Sequence, residues 1–273
     1  MTVHPVHQAA PFASSRRRRP SAVRWGWRAA AVIVSLALWQ AATILLGDTV
    51  VPSPGETVVA LGQLVATGAF WAAVGATVGS TLVGLAIAIV VAVPLGLLAG
   101  SGGFATASTR LSVDFLRTIP PVTLIPLAVL LYGPSAEMQV VLIVFGSVWP
   151  LFLQAVYAVR EVDPLLRDVS RAFRLSRRSL WVDIVLPSST PFLLTGLRVA
   201  STIALLLAVA AELIGNAPGV GREIALAQLG AQVPTAYAYV VVAALLGVAL
   251  NLGVAVAQRR MLFWHPSVRT EGR

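Results

Sequence analysis

Few residues in this 273-residue chain can do chemistry, since 57% are apolar and only 11% are charged. There is no cysteine, which removes thiolate nucleophiles, thiolate metal sites and disulfides together. All 20 basic side chains are arginine. A phosphate-binding loop of the Walker type needs a lysine on the β- and γ-phosphates, so the chain cannot hydrolyse nucleotide by that route. His4, His7 and His265 lie far apart near the two ends and match no zinc spacing. No serine, histidine and acid fall together as a hydrolase would need. No cofactor or metal is expected. The chemistry that remains is cationic, and it is densest at LLRDVSRAFRLSRRSLWVDIVLP, residues 165–187, with five arginines between Arg167 and Arg178.

Leu166, Val169, Ala172, Phe173 and Leu180 fall near one side of a helix, while Arg167, Arg171, Arg174 and Arg178 recur on another. The spacing predicts an amphipathic helix over about 163–180. It cannot cross a bilayer, because each central charge costs about 2.5–3.5 kcal/mol on insertion. Two surfaces suit such a helix: an anionic lipid interface, or a groove in a partner protein that seats the apolar knobs. Pro187 is expected to set a fixed bend between this helix and the next apolar segment.

The elements that hold it are apolar. Mean hydropathy is +0.83, and the apolar share exceeds the roughly 45–50% of soluble domains, so the chain reads as an all-α membrane protein. Six segments approach the roughly 20 residues needed to cross: Trp27 to Leu46, Trp71 to Leu98, Leu111 to Tyr132, Met138 to Val159, Phe192 to Ile214 and Ala236 to Ala257. With the N-terminus inside, 19 of the 20 arginines fall on the cytoplasmic side and only Arg222 outside. That distribution accounts for the net charge of +9 without nucleic acid and places both termini in the cytoplasm. Residues 1–25, with the Arg16 to Arg19 run, read as a disordered tail; Pro20 argues against a twin-arginine export signal. The domain itself is expected over 26–264, followed by a short tail at 265–273. Short surface helices are expected outside at about 58–65 and 222–230.

Within the spans, charges and helix breakers mark candidate pathway residues. Pro120, Pro121 and Pro126 break the third span and free backbone carbonyls. Arg198 is either a snorkelling anchor or a pathway residue. Glu212, near the outer end of the fifth span, is expected at an outer rim where a binding protein could meet it. Gly75, Gly79, Gly84, Gly247 and Gly253 are expected at close helix contacts.

From the I-x-L-P end backward, Ile184, Leu186 and Pro187, then Arg174, Ser170, Val169 and Asp168, resemble the cytoplasmic E-A-A motif of ABC importer permeases. Asp168 stands at the acidic position and Arg174 where the family carries glycine. VPSPGETVVAL, FLRTIPPVTLIPLAVLLYG, PFLLTGLRVASTIALLLAVAAELIG and RRMLFW are similar to the nitrate, sulfonate and taurine branch, and the resemblance covers nearly all the chain after residue 26. It implies a six-helix, type I ABC importer-like fold and a homodimeric permease. Separate ATPase subunits would dock on Asp168, Val169, Ser170, Arg171, Ala172, Phe173 and Arg174, with a soluble solute-binding protein on the other face. The implied location is the bacterial cytoplasmic membrane. Similar permeases also serve thiamine-precursor and other organic solutes. An ion-coupled secondary transporter would instead need acidic or histidine residues at mid-membrane and a repeated half, and a membrane scaffold would need no pathway.

Overall fold

In the computed structural model of the chain, residues 21–102 and 112–262 are described. The Arg16 to Arg19 run, Arg110, the three histidines and the final eleven residues lie outside them. All regular structure among the described residues is helical. Among the described residues, five helices are long and apolar enough to cross a membrane.

The chain divides into two units, Met1–Pro54 and Gly55–Arg273. The first holds α1, Ser21–Leu46, whose stretch from Gly26 has a mean hydropathy of 2.1. Its end is tied to the following turn: the Trp39 indole N–H and the Thr43 hydroxyl both donate to the Pro52 carbonyl, at 3.0 and 3.2 Å.

The second unit begins with the short α2, Pro54–Val65, and the long α3, Gly68–Ser101. After a helical turn at 112–116 come a 3-10 turn, Pro121–Leu124, and α4, Ile125–Tyr132. Then follow α5, Ala136–Arg160, and α6, Pro164–Ala172. A single turn, Arg177–Ser179, and a π-helical stretch, Leu180–Val185, lead into α7, Leu186–Gly215. The short α8, Val220–Leu229, and α9, Val233–Met261, complete it.

The expected third span is therefore not one helix. Pro120 is extended at φ −66°, ψ 120°, and Pro121 opens the 3-10 turn. Pro126 then takes the first turn of α4, where a missing N–H costs nothing. In place of a ladder, the Thr123 N–H and hydroxyl both donate to the Pro120 carbonyl, at 3.0 and 2.7 Å.

Lipid supplies no hydrophobic driving force between helices, so close packing must hold them together. The core forms where α3, α5 and α7 meet, with Leu85, Ala88 and Ala92 against Ile143 and Leu151, and Ala200, Ala204, Leu207 and Ala208 completing it. Alanines there let the backbones approach. Glycine goes further at Gly96, where an added Cβ would lie 2.6 Å from the Phe152 carbonyl oxygen, and at Gly146, 2.3 Å from Leu207 Cδ1. Of the glycines expected at contacts, Gly84 is one, 2.5 Å from Ile143, and Gly247 makes an ordinary contact with Leu205 at 3.5 Å. Gly75, Gly79 and Gly253 have no atom within 4 Å of that position, so apolar composition around a glycine did not identify a crossing point. A second cluster joins Phe70, Val220, Ile224, Tyr239 and Val242, packing α8 and α9 onto the start of α3.

Gly96→Ala pushes a methyl into backbone that cannot yield, and is expected to destabilise by about 1–3 kcal/mol. Gly75→Ala should be neutral or stabilise by up to about 1 kcal/mol, since alanine is the better helix former. Thermal unfolding in detergent compares the two.

Candidate functional site

The arginine-rich segment is held by both of its ends. Glu161 N–H donates to the Tyr157 carbonyl at 2.9 Å, finishing α5, and two residues later the Asp163 carboxylate accepts the Leu165 N–H at 2.8 Å. Pro164 follows at the first helical position, so α6 starts with a side-chain cap and a preset φ. At the junction, Val159, Val162 and Val185 form a buried apolar cluster with Leu97, Leu180, Trp181 and Ile184 around it. This cluster joins the segments on either side of α6, the end of α5 with Val162 and the approach to α7, and packs them against the end of α3.

α6 ends in a Schellman motif. Leu175 N–H reaches the Ser170 carbonyl at 2.9 Å and Arg174 N–H the Arg171 carbonyl at 3.1 Å. The residue that reverses the chain is Arg174, at φ 50°. A left-handed conformation costs a non-glycine residue about 1–2 kcal/mol, so the motif's glycine position keeps its conformation here while its occupant is arginine. Ser176 then caps the next turn, accepting the Ser179 N–H at 3.1 Å.

Two expectations change accordingly. The helix expected over 163–180 is nine residues long and stops at Ala172. The bend lies at Arg174 rather than at Pro187. Val185 and Leu186 both have helical angles, and Leu186 N–H donates to Trp181 in π fashion. Pro187 sits in the first turn of α7, where proline is accommodated, so 177–215 runs on as helix.

Leu165, Val169 and Phe173 make one exposed apolar row at four-residue spacing, and Phe173 at its tip is 76% exposed. Ser170 faces inward and is buried, while Ala172 is exposed. Asp168 pairs with Arg171 at 3.2 Å, but both are well exposed, and such a pair contributes at most about 1 kcal/mol.

The candidate pathway residues do not converge. Pro121 packs its ring toward Gly146 between α5 and α7, whereas Pro120 and Pro126 are exposed. Arg198 is exposed and donates to the Gln258 side-chain oxygen; Gln258 in turn donates to the Leu194 carbonyl at 2.7 Å. That bridge ties α7 to α9 close to the α6 end.

Glu212 lies toward the opposite end of α7 and has no exposed surface, so it is not a rim residue open to a partner. The turn between α7 and α8 folds over its carboxylate. Asn216 turns left-handed at φ 55°, one Glu212 oxygen accepts the Gly221 N–H at 2.8 Å, and Thr77 of α3 accepts the Val220 N–H at 2.9 Å. Two spans thereby cap the N-terminus of α8. Gln139 of α5 adds a bond to the Pro218 carbonyl at 2.8 Å. An added Cβ on Gly219, itself at φ 153°, would lie 2.1 Å from the Glu212 carboxyl carbon. Thr77, Gln139, Gly219 and Gln258 were not singled out from sequence. The close glycines in NAPGVG were the available signal for the turn, though not for what it covers. Among the described residues, no three histidine, aspartate or glutamate side chains gather as a metal would need.

Glu212→Gln keeps an acceptor for Gly221 and should cost less than Glu212→Ala, which strands a buried N–H at about 1–3 kcal/mol. Gly219→Ala should destabilise through both its φ and the clash. Because the clash disappears without the carboxylate, the double change should cost less than the sum of the singles. Thermal unfolding of the four proteins provides this cycle.

Residues 92–262 match the family described as binding-protein-dependent transport system inner membrane component. The chain is 27% identical over 259 residues to the Bacillus subtilis protein named for aliphatic sulfonates transport, SsuC, covering 93% of this chain and 94% of that one. The Escherichia coli protein of the same name is 27% identical over 234 residues, 85% of this chain and 89% of its relative. A nitrate import permease protein, NrtB, of Synechocystis is 31% identical over 139 residues, half of each chain. Among solved structures, an inward-facing MetNI methionine ABC transporter chain superposes with a TM-score of 0.60 at 17% identity, covering 68% of this chain and 93% of that chain. The fold is thus that of the type I ABC importer permeases, and the chain belongs to the binding-protein-dependent transport system inner membrane components.

Proposed function

We propose that the chain works as a homodimeric permease whose α6 docks into a cleft on a separate ATPase subunit, one ATPase for each copy. The observation that carries this reading is the exposed row Leu165, Val169 and Phe173 on a short helix whose flanking residues, Val162 before it and Val185 after it, meet in one buried apolar cluster with the ends of α3 and α5. A rigid helix with an aromatic anchor can pass on a rigid-body displacement; a loose loop would absorb it. The displacement would enter α5 and α7, which sandwich the alanine-rich core with α3. The lack of lysine, and so of a Walker loop, supports locating ATP hydrolysis in the partner.

The arginine distribution supports an orientation with α6 and both termini in the cytoplasm. A solute-binding protein would then deliver cargo at the end where Glu212 caps α8. The names of the relatives favour a small oxyanion, a sulfonate or nitrate, as that cargo.

Phe173→Asp should abolish co-purification of the ATPase subunit from the native membrane while the permease still extracts as a folded dimer. Uptake by whole cells of radiolabelled taurine, an alkanesulfonate and nitrate should fall to background in the same variant for whichever is carried. Solute accumulation at the wild-type rate without any ATPase partner would contradict the reading.

A further inference from the structure

Arg174 combines two features that need a common cause. It occupies the left-handed turn that ends α6, a conformation glycine would adopt without penalty. It also has no ion pair or hydrogen bond from its side chain among the described residues, and the same is true of Arg177 and Arg178. All three are exposed and lie within five residues after Phe173, the most exposed residue of the apolar row. Arg171, by contrast, is matched within α6 by Asp168. Strain kept at a residue that the fold does not require is a sign of function. The turn itself is fixed by backbone bonds from Arg174 and Leu175, which any residue there could make. What arginine adds is a charge beside the tip.

We propose that α6 fits an ATPase cleft whose apolar floor takes Phe173 and whose rim is acidic, with Arg174 determining which ATPase is accepted. This rests on the docking role of α6 and specifies the partner's chemistry. Guanidinium groups are suited to this task, since they pair with carboxylates in fork geometry and lose little hydration on pairing. Charges flanking an apolar anchor discriminate among similar clefts, because a neutral or basic rim would leave them unpaired. An anionic bilayer would also attract three arginines. A protein cleft is favoured because the apolar row is short and ends in a single aromatic knob, with Arg174 directly beside it.

The test uses the full chain in nanodiscs, binding the ATPase subunit that co-purifies with wild type, over a series of salt concentrations. Arg174→Gly relaxes the turn and removes the charge; it should weaken ATPase binding about 3- to 10-fold at low salt. Arg174→Glu should weaken it further, Arg174→Lys should retain most of it, and the differences should shrink toward 0.5 M salt, about where screening shortens to a few ångströms. Equal or tighter binding by Arg174→Gly would overturn the proposal, because the residue would then be only a strained turn. The same holds if the losses appear in phosphatidylglycerol discs and vanish in phosphatidylcholine discs, which would assign the arginines to lipid. Phe173→Asp separates the two readings: loss of ATPase with Phe173→Asp but not with the Arg174 variants rejects the acidic rim alone, whereas retention in Phe173→Asp rejects docking itself.

Discussion

Val159, Val162 and Val185 meet at one end of the helix bundle, where the chain leaves α5, forms α6 and returns through the π-helical stretch to α7. All three side chains are buried, with Leu97, Leu180, Trp181 and Ile184 packed around them. Leu97 and Ile184 pack on the same cluster, so the two segments that flank α6 are held together with the end of α3. A nine-residue helix has little stability of its own in water. Its Asp163 cap and its left-handed stop at Arg174 define its two ends, and the apolar cluster holds the segments on either side of it.

The opposite end is governed by backbone hydrogen bonding, because unsatisfied N–H groups are costly in a membrane. The N-terminus of α8 cannot rely on solvent, and Glu212 and Thr77 supply acceptors from two different spans. The broken segment around Pro120 meets the same demand with Thr123, whose N–H and hydroxyl turn back to the Pro120 carbonyl. Both devices let irregular backbone lie next to a close-packed core of alanine and glycine.

The spans were legible because hydropathy and proline report directly on lipid contact and on missing donors. Four of the six expected segments match α1, α3, α5 and α9 closely, and the fifth only begins earlier, at Leu186. The end of α6 was not legible. Leu180 stays in phase with the apolar row, so periodicity runs straight through a reversal that depends on one φ angle. Pro187 was misplaced as a bend because its effect depends on whether it falls inside a helix or in its first turn. Glu212 read as a rim residue because a carboxylate near a span's end usually reaches water. Its burial is set by Gly219 and Gly221, whose missing side chains let the turn close over it. The candidate docking residues fell in one short segment, since a local helix motif is visible in spacing. Those proposed for the pathway scattered, since tertiary placement is not.

On this reading, displacement of α6 reaches α5 and α7 through the segments on either side of it that hold Val162 and Val185. The most direct measurement is the number of solute molecules imported per ATP hydrolysed, in proteoliposomes, for wild type and for a Val162→Ala, Val185→Ala variant. Emptying the cluster should leave ATPase binding and hydrolysis near wild type while the solute imported per ATP falls several-fold. An unchanged ratio in a variant confirmed to be loosened at this junction by hydrogen exchange would contradict the claim.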